Sequence, residues 1–161
     1  MEKMKEYSAI IEEGLKILGV KPEDTRGDEP GQWLVFNGET EIYIDLWEQK
    51  EMTNWQYFKP EGHNTFVFQV LSPVCKLPKS EQLKTFYEDI LHYNLNMLFA
   101  SFTINTDEQM LAAKFRRIGN EMRVEDVIEA IESVGYYSEV IGKVLSEKYA
   151  TPRIALNPPP Q

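Results

Sequence analysis

Cysteine is all but missing from this chain: Cys75 is the single one in 161 residues, so no disulfide can form within it. That suits a reducing compartment. Histidine is nearly as scarce, and His63 and His92 stand at no metal-ligand spacing from each other or from Cys75. No run approaches the roughly 20 apolar residues of a membrane span. Glutamates interrupt MEKMKEYSAIIEEG where a signal peptide needs an unbroken apolar stretch, so the expected location is the cytoplasm, away from membranes. Positive charge is also short. Seventeen Lys and Arg against 26 Asp and Glu leave a net charge of −9, which repels a phosphate backbone and argues against a nucleic-acid partner.

No arrangement of a nucleophile with a base is legible. Cys75 lies between Pro73 and Pro78 with no histidine nearby, and reads as a packed or idle thiol. Glu12, Glu13, Glu125, Asp126, Glu129 and Glu132 fall on predicted helix surfaces as solvating charge. There is no glycine-rich phosphate loop. The expectation is therefore a non-enzymatic protein with no catalytic residues, no metal and no cofactor.

What is present is an ordinary globular composition, 42% hydrophobic and 27% charged, in a chain of single-domain size. Met4, Tyr7, Ile11, Leu15 and Leu18 recur at helical spacing over 3–18, with Gly19 as the C-cap glycine. A loop rich in proline and glycine follows. Gln32–Phe36 and Thr40–Trp47 flank Asn37-Gly38, the signature of a type I′ hairpin. In the second of these strands Ile42, Ile44 and Leu46 alternate with Tyr43, Asp45 and Trp47. Thr65–Leu71 reads as a third strand ended by Ser72-Pro73. Ser80 is the expected N-cap of a second helix. Leu98–Ile104 and Met110–Arg117 read as strands around the turn Asn105–Gln109, and a last helix runs from Val124 to Leu145. The order α-β-β-β-α-β-β-α predicts an α+β fold, with a mostly antiparallel five-stranded sheet and helices packed on it. Residues 1–148 read as one domain. Residues 149–161 read as a proline-rich tail without regular structure, whose deletion would cost little stability unless Ile154 and Leu156 anchor it.

The strand QWLVFNG, the stretch VFQVLSPVCKLP, the helix containing ILHYNLNM, the strand pair SFTINTDEQMLAAKF and the closing VEDVIEAIESV together resemble the YbjN family of sensory-transduction regulators. The resemblance covers roughly residues 31–148. It implies the fold of type III secretion chaperones, a homodimer, and recognition of other polypeptides.

Three segments carry the site expectations. In the second helix, Leu83, Phe86, Tyr87, Ile90, Leu91, Tyr93 and Leu95 spread over about 200° of the surface, against roughly 100° for a helix facing one core. The excess width either packs on a neighbouring helix or meets a second subunit; Leu83, Phe86, Tyr87, Ile90 and Tyr93 are the expected dimer interface. Asn94 reads as a cap to that helix. The connection over 48–64 holds Trp55, Tyr57 and Phe58, which with Trp47 are the expected partner-binding residues. It is either a binding loop or an extended hairpin, and a small-molecule or signal-sensing pocket built on these aromatics is the alternative function. Lys114 and Arg116 share a face of the fifth strand, with Arg117 and Arg123 close by. They either discourage aggregation or meet an acidic partner.

Overall fold

Ile42, Ile44 and Leu46 all point the same way from β2 (Thr40–Gln49) and are buried. A strand apolar on one side needs a cover on that side and neighbours on both edges. The computed structural model, which describes residues 2–49 and 65–155, supplies both. β1 (Gln32–Asn37) and β3 (Thr65–Lys76) flank β2, and β5 (Met110–Ile118) and β4 (Ser101–Asn105) continue the sheet beyond β3. The order is β1-β2-β3-β5-β4, antiparallel throughout. Helices α1 (Glu2–Ile17), α2 (Leu83–Asn96), α3 (Val124–Tyr136) and α4 (Gly142–Tyr149) supply the cover. This is the α+β architecture that the sequence predicts.

The core lies between the sheet and these helices. Phe68 and Val70 of β3, Phe86 of α2, Val127 and Val134 of α3 and Leu145 of α4 are all fully buried, each contributing about 1.5–3 kcal/mol by leaving water. Tyr7 of α1 meets Phe66 edge-on with ring centroids 5.3 Å apart, and Phe86 meets Tyr149 at 4.9 Å. Gly19 ends α1 at φ +78°, as its C-cap reading requires.

Several local readings give way to the structure. The hairpin pairs Asn37 with Thr40, so its central residues are Gly38 and Glu39, and positive φ occurs at Gly38 alone. That is the II′ pattern, with glycine first, and not the I′ turn of an Asn-Gly centre. β3 does not stop at Ser72-Pro73. It runs to Lys76 because a bulge between Pro73 and Cys75 absorbs the missing donor, at a point where β2 no longer pairs alongside. The bulge also re-aims Cys75 opposite Leu111 and so into the core. Ser80 does not cap α2. A 3₁₀ turn over Ser80–Gln82 precedes the helix, and the Ser80 hydroxyl donates to Glu81 Oε2 at 3.3 Å. β4 begins at Ser101, since Leu98 and Phe99 belong to the connection and Phe99 has φ +63°. The last helix continues to Tyr149 through a π turn over Tyr137–Ile141. There the Ser138 carbonyl accepts from Arg153 Nη1 at 2.6 Å, a competing partner for a helical acceptor.

Arg153 belongs to the segment read as irregular tail. That segment pairs with β3 through a single bridge, Cys75 to Arg153, held by Lys76 N–H to Pro152 O at 3.2 Å and Ile154 N–H to Val74 O at 3.2 Å. It occupies the edge of β3 that β2 leaves empty.

Candidate polypeptide-binding surfaces

Strict alternation gives the sheet a second face, opposite the helices. Three cross-strand rows build it: Tyr43, Leu71 and Lys114; Asp45, Gln69 and Arg116; Trp47, Val67 and Ile118. The middle row is a polar chain. Gln69 Nε2 donates to Asp45 Oδ2 at 3.2 Å, and Arg116 donates to Gln69 Oε1 through Nε at 2.8 Å and Nη2 at 2.5 Å. The Arg116 guanidinium also lies 5.3 Å from the centre of the Trp47 ring, a cation–π contact. The indole N–H of Trp47 donates to Gln49 Oε1 at 3.1 Å. Burial raises the Asp45 carboxyl above its ordinary range, opposed by the hydrogen bond from Gln69 and the charge of Arg116. Burial lowers the Lys114 ammonium, and the neighbouring Arg116 lowers it further.

Trp47, the first of the expected partner-binding residues, is thus half-buried on this second face, where Val67 and Gln69 are buried and Arg116 is exposed. Trp55, Tyr57 and Phe58 lie outside the described residues, as does the choice between a binding loop and an extended hairpin over 50–64. β2 and β3 pair as far as Gln49 with Thr65. Gln69 and Asp45 were not singled out as site residues from the sequence. The signal was there: a glutamine between Phe68 and Val70 has to point away from the core.

The wide apolar arc of α2 resolves into two flanks. Phe86 and Ile90 are in the chain's own core, with Leu83, Tyr87 and Tyr93 half-buried beside them. The outer flank stays in solvent: Leu91 is 68% exposed and Leu95 79%, and the chain continues into Leu98 at 69% and Phe99 at 60%. Asn94 does not cap its helix. Its side chain donates to Phe102 O at 3.1 Å and accepts from Phe102 N–H at 2.7 Å, taking both outward backbone groups of one residue on the edge strand β4. The other edge is guarded by backbone: Leu34 N–H donates to Thr25 O at 2.7 Å and Gly27 N–H to Gln32 O at 2.8 Å.

Chemistry-bearing groups are dispersed. The Cys75 thiol is buried, and burial raises its pKa despite a hydrogen bond with Thr151 and the charge of Arg153. His92 is exposed on α2, beside the ring of Tyr93. Among the described residues no group of His, Cys, Asp and Glu could hold a metal ion, and no helix is long and apolar enough to cross a membrane. Arg117 of β5 and Arg123 at the N-cap of α3 converge on Asp126, which pairs with Arg117 Nη1 at 3.0 Å and accepts from the Arg123 backbone N–H at 2.8 Å.

The five-stranded antiparallel sheet with helices packed on it is the secretion chaperone-like fold that the family resemblance implies. No family model matches the sequence, and no curated protein matches it. Among solved structures, the chain superposes on one in the crystal structure of the ExsC-ExsE complex with a TM-score of 0.53. The match covers 88% of this chain and 95% of that one at 9% sequence identity, and at that identity it shows the fold alone.

Proposed function

We propose that this protein is a non-enzymatic protein-binding module, chaperone-like or regulatory, that works as a homodimer and recognises another polypeptide. The observation that carries the reading is the outer flank of α2 and the connection after it, where Leu91, Leu95, Leu98 and Phe99 expose apolar side chains that the core does not use. The solved chain of the same fold comes from a complex of two proteins, and the resemblance of QWLVFNG, VFQVLSPVCKLP and the segments after them to the YbjN family points the same way. The dimer would form through α2. Phe86 and Ile90 hold the helix to its own sheet, Leu83, Tyr87 and Tyr93 line the border, and Leu91 and Leu95 meet the second copy. Polypeptide recognition falls to the second sheet face at Trp47, opposite the helices, with Trp55, Tyr57 and Phe58 as further aromatic anchors. Sedimentation of the full chain at micromolar concentration tests the assembly. Twice the chain mass is expected, reverting to one chain in Leu91→Glu/Leu95→Glu, and a monomer at every concentration would defeat the dimer.

A further inference from the structure

Among the described residues every arginine but Arg116 pairs with a carboxylate, and the lysines that make no ion pair are exposed, Lys114 apart. Arg26 pairs with Glu12 at 2.8 Å, Arg117 with Asp126 at 3.0 Å, Arg123 with Asp126 at 3.7 Å, Arg153 with Glu139 at 3.7 Å and Lys148 with Asp89 at 2.5 Å. Two neighbours on the second sheet face do not follow this pattern. Among the described residues Arg116 makes no ion pair and is held in place by Gln69 and the Trp47 ring, while Lys114, one row away on the same face, makes neither an ion pair nor a hydrogen bond. Edge protection does not explain Lys114, which is paired on both sides, with Leu71 of β3 and Ser101 of β4; Arg116 lies two residues beyond the end of β4, where β5 pairs with β3 alone. Burial and mutual repulsion, which lower the Lys114 ammonium, are what two cations experience when a counter-charge is missing. Gln69 fixes the guanidinium through Nε and Nη2, which leaves Nη1 directed to no acceptor among the described residues. Of the carboxylates on this face, Glu41 is buried and accepts from the Tyr43 hydroxyl at 3.1 Å, and Asp45 reaches Arg116 only through Gln69.

We infer that Lys114 and Arg116 form the docking point for an acidic segment of a polypeptide partner, whose Asp or Glu side chains supply the missing carboxylates. The inference rests on the protein-binding function proposed above and names the chemistry of what is bound. Arg116 is posed to fork onto a carboxylate and Lys114 to add a point charge beside it. Leu71 and Tyr43, in the Lys114 row, and Trp47, under Arg116, give apolar contacts to the intervening side chains of an extended segment. Charge complementarity at this patch opposes the overall field of the molecule, since a net charge of −9 attracts basic peptides to the surface at large. A preference for acidic sequence therefore has to come from a local site.

The full chain is titrated calorimetrically with synthetic peptides of alternating glutamate and valine, serine and valine, or lysine and valine. The glutamate peptide should bind at least about tenfold more tightly than either of the others. Lys114→Gln/Arg116→Gln should lose that preference by about tenfold or more, while Lys143→Gln on the exposed side of α4 leaves it unchanged. Lys114→Glu should invert it toward the lysine peptide. Lys114 holds no hydrogen bond, so its single variants keep the test available where loss of the Arg116–Gln69 contact unfolds the chain. Equal or tighter binding of the serine or lysine peptide, or full affinity in the Lys114 variants, overturns the acidic-segment inference and leaves the protein-binding reading standing. Failure to bind any of the three peptides counts against both.

Discussion

On the helix-covered face of the sheet, Ile44, Phe68 and Val70 lie side by side and are fully buried; on the opposite face the same three strands present Tyr43, Gln69, Asp45, Arg116 and Lys114. The strands are shared, so backbone pairing cannot account for the difference. The first face is closed by the chain's own helices and is fully explained by folding. The second carries a half-buried carboxylate, Asp45, and a half-buried ammonium, Lys114, whose burial disfavours their charged forms, and such groups are the ones that need another reason. Folding and binding are thus divided between the two sides of one sheet, and substitutions on either side should separate them.

The largest effect belongs to the covered face. Phe68→Ala removes a fully buried ring from between Leu46 and Arg117 in the central strand and should cost about 3–5 kcal/mol in denaturant unfolding. A loss under about 1 kcal/mol would mean that this face is not the core. Trp47→Ala on the second face should cost only about 1 kcal/mol of stability, the worth of a surface cation–π contact, while reducing partner affinity by at least about 1–2 kcal/mol. Equal damage from the two substitutions would erase the division.

An intermediate effect is expected at the border between the faces. Asn94→Ala leaves the outward N–H and C=O of Phe102 without partners and should cost about 1–3 kcal/mol. It also opens the β4 edge, so light scattering should reveal concentration-dependent association. Asn94→Asp keeps the acceptor but loses the donor toward Phe102 O, and should fall between wild type and alanine.

The element order and the covered face were legible because they follow from periodicity, which depends on each residue's neighbours in sequence. Ile42, Ile44 and Leu46 were read correctly for that reason, as was the helix over Met4–Leu18. Features decided by partners distant in sequence were not. Whether Pro73 ends a strand depends on whether β2 still runs beside it, and whether Asn94 caps a helix or a sheet edge depends on where β4 lies. The width of the α2 arc was visible, yet assigning Phe86 inward and Leu91 outward required knowing which side Asn94 tethers to β4 and which side Asp89 holds to α4 through Lys148 and Tyr149. Of the expected site residues, Trp47 and the Lys114–Arg116 pair were legible as the polar side of alternating strands. The row that positions Arg116 was hidden in register.

Acid titration should separate two kinds of carboxylate. At Asp126, burial acts to raise the pKa but the Arg123 backbone N–H and the charges of Arg117 and Arg123 outweigh it and hold the group below its ordinary range. Asp89 behaves alike, with Lys148 and Tyr149 outweighing burial. A depressed carboxylate contributes stability that is present above the unfolded-state value of about 4 and is lost as pH falls through the lower folded value. Asp126→Asn should therefore lower stability at neutral pH by on the order of 1 kcal/mol, after allowance for solvent screening, and flatten the acid limb of the stability curve. An unchanged acid limb would remove Asp126 from the account.

The smallest effect, and the one with the opposite sign, is expected at Asp45. Here burial is the largest influence and the folded pKa is raised, with Gln69 and Arg116 only partly opposing it. A raised carboxyl contributes stability that is complete below the unfolded-state value and disappears as pH rises through the folded one, so at neutral pH ionised Asp45 is a net cost. Asn in its place removes the charge and keeps an oxygen that can accept from Gln69 Nε2, preserving the bond now at 3.2 Å. Asp45→Asn should consequently stabilise the chain at neutral pH by less than about 1 kcal/mol, since the group is half in solvent. The gain should vanish when unfolding is repeated at a pH below the ordinary carboxylate range. The same substitution takes a negative charge away from the Arg116 site, so the glutamate–valine peptide should bind it more tightly than wild type. A loss of stability at neutral pH would show that ionised Asp45 is needed to hold the Gln69–Arg116 row. The second face would then be maintained for folding like the covered one, and the contrast between the two faces would fail at its most polar residue.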